Sequence, residues 1–188
     1  MNISAVTGTS ADFALHSSAG SSARPPVSVL RCVEEVKESL AEMWIPRLYR
    51  ERILTLRTRS HHLDVPPKVN SVQVQHTLLG VELKVGRRRM LCPDLATARY
   101  LGVFARAGCM DVAVPYDITK ISRLADELES AWHRMLLLIE REAAERHAGF
   151  RSRVRTLLIM GAREEITQAG AGTAIPQFNQ NTKQRRAQ

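Results

Sequence analysis

The chain has 188 residues and a net charge of +8 at pH 7, with 27 Lys and Arg against 19 Asp and Glu. Apolar residues make up 44 %, which excludes a wholly disordered chain. No apolar run approaches the roughly 18 residues of a membrane span, so we expect no membrane partner. Three widely spaced cysteines argue against a secreted disulfide framework and favour an intracellular, reducing compartment, cytoplasmic or organellar.

The positive charge is concentrated in two blocks of the chain. Residues 46–110 hold 12 basic and 4 acidic side chains, and residues 150–188 hold 7 and 2, whereas the stretch between 111 and 149 is acidic. Such blocks favour an anionic partner, and nucleic acid is the first expectation.

Composition and periodicity divide the chain into three parts. Residues 1–28, rich in Ser, Gly and Ala, predict a disordered leader. Residues 29–165 predict a single α/β domain, because apolar residues recur there with helical and strand periods. Residues 166–188 become rich in Gly, Asn and Gln and predict a flexible basic tail.

Within the domain, apolar residues alternate with polar ones between Val72 and Val85, which predicts β structure with a turn near Gly80. Pro93-Asp94 predicts the start of a helix that ends at Gly108. The apolar run at residues 112–114 then predicts a short buried strand. A strand, a helix and a strand in this order favour parallel pairing with a right-handed crossover.

A long helix is expected from Thr119 to about residue 160, with Asp117 as its N-cap. The fold class is therefore α/β (or α+β), a small mixed sheet of three to four strands flanked by helices with a long C-terminal helix. An apolar stripe on that helix, from Ile121 to Leu138, most simply forms core. If it is exposed, the 119–160 helix could dock a protein partner or a second copy of the chain.

Glu82 and Lys84 lie two residues apart on the predicted strand, so both side chains project from one sheet face. A carboxylate that holds a divalent cation, with a lysine beside it, would suit a metal-dependent phosphodiesterase. Asp64 is the candidate second carboxylate upstream, and the cation would be Mg²⁺. Alternatively, Glu82 and Lys84 form an ordinary charge pair on a solvated face, and no cofactor is needed.

At Asp64, Glu82 and Lys84, followed by the helix 95–107 and the strand 112–114, the sequence resembles the PD-(D/E)xK nuclease-like superfamily over residues 29–117. The resemblance implies a metal-dependent nuclease with Asp64 and Glu82 as metal ligands and with Asp64, Glu82 and Lys84 as catalytic residues. A member that has lost catalysis would carry the same pattern.

Arginines suggest a second kind of site. A run of three is expected in a loop between strand and helix, and together with others it could line a groove for phosphates, which the guanidinium fork binds well. The candidate nucleic-acid-binding residues are Arg57, Arg59, Arg87, Arg88, Arg89 and Arg99.

Three functions follow from these patterns. The first is a nucleic-acid-binding protein without chemistry of its own, including a component of a ribonucleoprotein assembly. The second is the divalent-metal nuclease, and the third is a protein–protein adaptor that uses the long helix. The residue pattern does not distinguish DNA from RNA.

Overall fold

The computed structural model describes residues 28–66 and 71–172 of the chain. Its helices are α1 (Val29–Leu40), α2 (Ile45–Leu48), α3 (Leu95–Ala107), α4 (Ile118–Glu142) and α5 (Ala148–Ala169). Its strands are β1 (Thr58–His62), β2 (Val72–Thr77), β3 (Gly80–Val85), β4 (Arg88–Cys92) and β5 (Asp111–Pro115). A 3₁₀ turn over Ala41–Met43 precedes α2, and a π-helical turn over Tyr49–Ile53 follows it.

The mixture of helix and strand confirms the predicted fold class. The leader, apart from Ser28, and the tail beyond residue 172 lie outside the described residues. Ser28 belongs to the domain, because its hydroxyl accepts a hydrogen bond from the Arg31 backbone N–H and caps α1. The domain also extends past residue 165, since α5 continues to Ala169 and buries Ile166.

The expectation of one mixed sheet with a parallel crossover is wrong. The described strands form two antiparallel sheets, one with the order β2-β3-β4 and one that pairs β1 with β5. Of the arginine run expected in a loop, Arg88 and Arg89 instead begin β4, because Gly86 adopts a positive φ of 61° and with Arg87 makes a two-residue hairpin turn. The strand before α3 is therefore β4, not the one that carries Glu82.

One face of the three-stranded sheet is packed against α3. Leu83 and Val85 on β3 are buried there, together with Cys92 on β4. Helix and sheet approach closely at Gly102, where an added Cβ would lie 3.6 Å from Leu83 Cδ1. The opposite face of this sheet, which we call the outer face, has no described helix packed on it. It carries Gln73, Gln75 and Thr77 of β2, Glu82 and Lys84 of β3, and Arg89 and Leu91 of β4.

The predicted helix boundaries at Asp94, Gly108 and Asp117 are confirmed. The Asp94 carboxylate accepts hydrogen bonds from the backbone N–H and the hydroxyl of Thr97, at 2.7 and 3.0 Å, and caps α3. Asp117 caps α4 in the same way through Thr119. Gly108 ends α3 in the left-handed conformation, with φ at 77°.

The long C-terminal helix is divided into α4 and α5 by a turn over residues 143–147. The apolar stripe of α4 is core, since its members are 0–7 % exposed. These members are Ile121, Leu124, Leu128, Trp132, Met135 and Leu138. Within the described ranges, no helix is both long enough and apolar enough to cross a membrane.

Strand β5 lies at the centre of the molecule, with residues 112–114 at most 2 % exposed. One edge of β5 pairs with β1. At the other edge, the Ala113 N–H donates to the Tyr49 hydroxyl at 2.8 Å, and the Tyr100 hydroxyl donates to the Ala113 carbonyl at 2.6 Å. Tyr49 in turn donates to the Gly170 carbonyl at 2.7 Å. Two tyrosines therefore occupy the edge at which a parallel neighbour was expected.

Tyr100→Phe should lower the free energy of unfolding by about 1–3 kcal/mol, because it leaves the buried Ala113 carbonyl without its donor. Urea unfolding measures the change. Tyr116→Phe is the matched control, since Tyr116 is 43 % exposed and should change stability by less than about 0.5 kcal/mol. Equal effects of the two substitutions would contradict a role for the Tyr100 hydrogen bond.

The same tyrosines predict a loss of stability at alkaline pH. Burial raises the pKa of Tyr49 to about 12, and burial together with Tyr49 raises the pKa of Tyr100 well above its usual value. The unfolded chain therefore loses these protons first, near pH 10, while the folded chain keeps them. The free energy of unfolding should fall as pH rises above about 10, by up to about 1.4 kcal/mol per pH unit for each tyrosine.

Urea unfolding of the wild type and of Tyr49→Phe at a series of pH values between neutral and strongly alkaline tests this expectation. The variant should have the shallower decline above about pH 10, since it lacks one of the titrating groups. Parallel declines would show that Tyr49 does not titrate differently in the two states.

Candidate nucleic-acid interface

Glu82 and Lys84 both project from the outer face of the three-stranded sheet, because Leu83 and Val85 beside them face α3. Their cross-strand neighbours are Leu91 and Arg89 on β4. The strand assignment thus places the acid and the amine side by side, as expected from their spacing.

Asp64 does not join them. It follows β1 and forms an ion pair with Arg88. Arg88 is the register partner of the buried Val85, so its side chain belongs to the α3 side of the sheet, opposite to Glu82. Among the described residues, no group of three His, Cys, Asp or Glu side chains is arranged to hold a metal ion. The arrangement therefore lacks the paired carboxylates that the metal-site hypothesis for Asp64 and Glu82 requires.

Glu82 is instead held among its neighbours on the outer face. Its side chain is 13 % exposed, Oε1 accepts a hydrogen bond from the Thr77 hydroxyl at 3.4 Å, and Oε2 lies 3.9 Å from Arg89 Nη1. Oε2 is buried and has no hydrogen-bond partner among the described residues. The carboxylate thus offsets part of the positive charge around it.

The β3–β4 hairpin concentrates basic side chains at one end of the outer face. Arg87 is exposed at the hairpin turn, and Lys84 and Arg89 are direct cross-strand partners. Like charges in that position repel each other and destabilise the pair. We call these three residues, Lys84, Arg87 and Arg89, the hairpin cluster.

Sequence reasoning did not identify the amide side chains that extend this surface. Gln73 and Gln75 on β2 are the register partners of Lys84 and Glu82, so they share the outer face. Gln75 donates to Gln73 at 3.1 Å. The alternation of residues along β2 places the two glutamines on one face of the strand. Only the pairing of the strands shows that this face is the one that carries Lys84 and Glu82.

Arg59 is on β1 of the other sheet, and Arg57 immediately precedes that strand. Arg57 lies over the ring of Tyr116, with its guanidinium carbon 5.1 Å from the ring centroid. Arg59 is exposed on β1, and its charge contributes, after burial, to a lowered pKa of His61. Neither arginine has a carboxylate partner among the described residues. Both are available to an anion, but at the other sheet and not at the hairpin cluster.

Arg99, whose side chain is 31 % exposed, is paired with two carboxylates of α4. Its guanidinium donates to Glu129 Oε2 from two nitrogens, at 3.0 and 2.5 Å, and to Asp126 Oδ1 at 2.7 Å. These contacts tie α3 to α4 and raise the pKa of Arg99, chiefly through the Glu129 hydrogen bond. A phosphate at Arg99 would have to displace two carboxylates. The predicted arginines therefore lie in separate places, and two of them, Arg88 and Arg99, are paired with carboxylates of the protein itself.

The cysteines do not offer a nucleophile. All three are buried free thiols. Burial raises the pKa of Cys109 to about 12, and it also raises the pKa of Cys32 and of Cys92. Because the thiolate is the reactive form, each thiol is held in its unreactive state at neutral pH.

Comparison of the chain with protein-family models, with curated proteins and with solved structures found no match. The function is therefore argued from the residues and their arrangement.

Arg99→Gln should lower the free energy of unfolding by up to about 1 kcal/mol, and less at high salt, because the substitution removes a partly exposed ion pair. Its affinity for nucleic acid should equal that of the wild type. Urea unfolding at low and high salt, with a filter-binding assay, measures both quantities. Arg87→Gln provides the reverse control, with weaker binding and unchanged stability. Weaker binding of nucleic acid by Arg99→Gln than by the wild type would show that Arg99 belongs to the interface.

Proposed function

We propose that this chain is a nucleic-acid-binding protein without chemistry of its own, and that the outer face of the three-stranded sheet is its binding surface. The observation that carries the proposal is the hairpin cluster. Lys84 and Arg89 face each other across β3 and β4, and Arg87 extends the positive charge to the turn.

The electrostatics of the cluster favour an anionic partner. The hairpin carries four cations, of which Arg88 is paired with Asp64. Glu82, at 3.9 Å from Arg89, offsets only part of the charge of the other three. Lys84 and Arg87 have no carboxylate partner among the described residues. A phosphate between Lys84 and Arg89 would relieve their mutual repulsion, and counterion release would add to the affinity.

The shape of the surface fits a nucleic-acid backbone. An uncovered antiparallel sheet gives an extended, gently twisted platform, and the Gln73 and Gln75 amides add neutral donors and acceptors beside the cations. The outer face of the three described strands has no aromatic side chain, so contacts to phosphate and sugar, not base stacking, support the proposal. Such contacts position a protein without selecting a base sequence, which suits a component of a ribonucleoprotein assembly.

The absence of chemistry rests on the separation of Asp64 from Glu82. Asp64 is paired with Arg88 on the α3 side, so a phosphodiester on the outer face would meet one carboxylate, Glu82, that is itself mostly buried. A two-carboxylate metal site is the arrangement that nuclease chemistry would need.

Binding of labelled single- and double-stranded RNA and DNA, measured over a range of salt concentrations, tests the proposal. The triple variant Lys84→Ala/Arg87→Ala/Arg89→Ala should bind more weakly. The slope of log K against log salt should fall by about 0.7–0.9 for each phosphate that the variant no longer neutralises.

The matched control is Lys120→Ala/Arg123→Ala/Arg141→Ala, which removes the same charge from exposed positions on α4 that each have an acidic partner. This control should keep most of the slope. Equal losses of affinity in both triples would show that net charge alone drives binding and would reject the hairpin surface. Cleavage that requires Mg²⁺ and is abolished in Glu82→Ala would replace the proposal with the nuclease hypothesis.

A further inference from the structure

A polar cavity that is open to solvent lies between the end of α3, the middle of α4, the first half of α5 and the residues that lead into β2. Its volume is about 460 Å³, within the range of about 300–1,000 Å³ that is typical of small-molecule sites. The residues that give it its chemistry are Ser71, Arg106, Trp132, Ser152, Arg155 and Thr156. We call it the α3–α5 cavity. It is a separate place from the hairpin cluster.

The cavity contains a guanidinium without a counterion. Arg106 Nη1 is buried and has no hydrogen-bond partner among the described residues, and neither Arg106 nor Arg155 forms an ion pair within them. The described part of the cavity lining contains no carboxylate. Leaving a buried charged donor unsatisfied costs more free energy than a neutral one, so this arrangement calls for an anionic acceptor.

The remaining sequence offers almost no internal counterion. Residues outside the described ranges include a single acidic side chain, Asp12. The negative end of the α3 dipole offsets part of the Arg106 charge, since Arg106 lies in the last turn of α3. It does not supply an acceptor for Nη1.

Two serine hydroxyls beside the arginines are free to donate to phosphate oxygens. Other polar groups of the cavity are already in hydrogen bonds: the Thr156 hydroxyl donates to the Ser152 carbonyl at 2.8 Å, and the Ser71 carbonyl accepts from the Gly86 N–H at 2.9 Å. The hydroxyls of Ser71 and Ser152 form no hydrogen bond within the described residues, so they remain as donors beside the guanidinium forks.

We infer that the α3–α5 cavity binds a phosphomonoester group, with Arg106 and Arg155 as its cationic ligands and Ser71 and Ser152 as neutral donors. The volume exceeds that of a phosphate ion, so the cavity admits the sugar that carries the phosphate. A free nucleotide and the 5′-phosphorylated end of a nucleic acid share this chemistry. The inference does not rest on the hairpin cluster, because the two sites have no residue in common.

Phosphate binding in the cavity can be followed through the fluorescence of Trp132. The chain has two tryptophans, Trp44 and Trp132, and only Trp132 lines the cavity. Trp44→Phe therefore leaves Trp132 as the single tryptophan, which can be excited selectively at wavelengths longer than those that tyrosine absorbs. Titration of this variant with inorganic phosphate, at constant ionic strength maintained with chloride, should change the Trp132 emission in a saturable way. Adenosine 5′-monophosphate should act at lower concentration than phosphate, and adenosine should not act.

The ligand variants are Arg106→Gln and Arg155→Gln, each made in the Trp44→Phe background. Each should weaken phosphate binding by about ten- to a hundredfold, the effect of one charge-assisted hydrogen bond. Arg153→Gln is the matched control, because Arg153 is exposed on α5 and does not line the cavity. Its affinity should be unchanged.

Thermal unfolding separates ligand binding from a structural role. Without phosphate, Arg106→Gln should unfold at the same temperature as its Trp44→Phe parent or higher, because the substitution removes a guanidinium whose buried Nη1 has no partner among the described residues. Phosphate should raise the unfolding temperature of the Trp44→Phe parent and of Arg153→Gln in the same background, but not that of the two ligand variants. An equal rise in all four proteins, or no saturable response of Trp132, would overturn the inference.

Oligonucleotides with a 5′-phosphate or a 5′-hydroxyl distinguish the two sources of the group. A preference for the 5′-phosphate that disappears in Arg106→Gln identifies a nucleic-acid end, whereas binding of the mononucleotide alone identifies a free nucleotide. The triple variant of the hairpin cluster should retain the phosphate response. These measurements therefore show separately whether the proposal for the hairpin cluster or the inference for the α3–α5 cavity fails.

Discussion

The hydrogen bonds of Ala113 hold together the elements on which the rest of the structure depends. Strand β5 is buried on both faces and pairs with β1 along one edge only. Its other edge would expose backbone groups in the core, and the hydroxyls of Tyr49 and Tyr100 satisfy them. Because Tyr49 follows α2 and also donates to Gly170 at the end of α5, this contact joins segments that are 121 residues apart.

The same hydrogen bonds occupy the edge of β5 at which another strand could have paired. With tyrosines at the edge of β5, the strand cannot continue the sheet formed by β2, β3 and β4, so the two sheets stay separate. Helix α3 then packs between them, with the small Gly102 against Leu83 and Tyr100 against β5. The three-stranded sheet uses one face for this contact and presents the other, with its basic hairpin, away from the core.

The charged residues differ in their function according to their partners. Arg99 and Arg88 are each held by carboxylates, whereas the hairpin cluster faces a partly buried Glu82 and Arg106 has no acidic partner among the described residues. Net charge alone does not separate these cases, because all of these arginines contribute equally to it. We propose that phosphates bind at the cations without carboxylate partners, and the total charge surplus does not identify these positions.

By itself, the sequence determined the local features of this protein: the mixture of helix and strand, the caps at Asp94 and Asp117, the stop at Gly108 and the buried stripe of α4. Each depends on residues within a few positions of one another. The tertiary structure decided the rest. It paired β5 with β1, made β4 from an arginine-rich segment that resembled a loop, set Asp64 apart from Glu82, and brought Arg106 and Arg155 to one cavity. These outcomes depend on edge pairing and charge pairing between distant segments, for which the spacing of residues along the chain carries no signal.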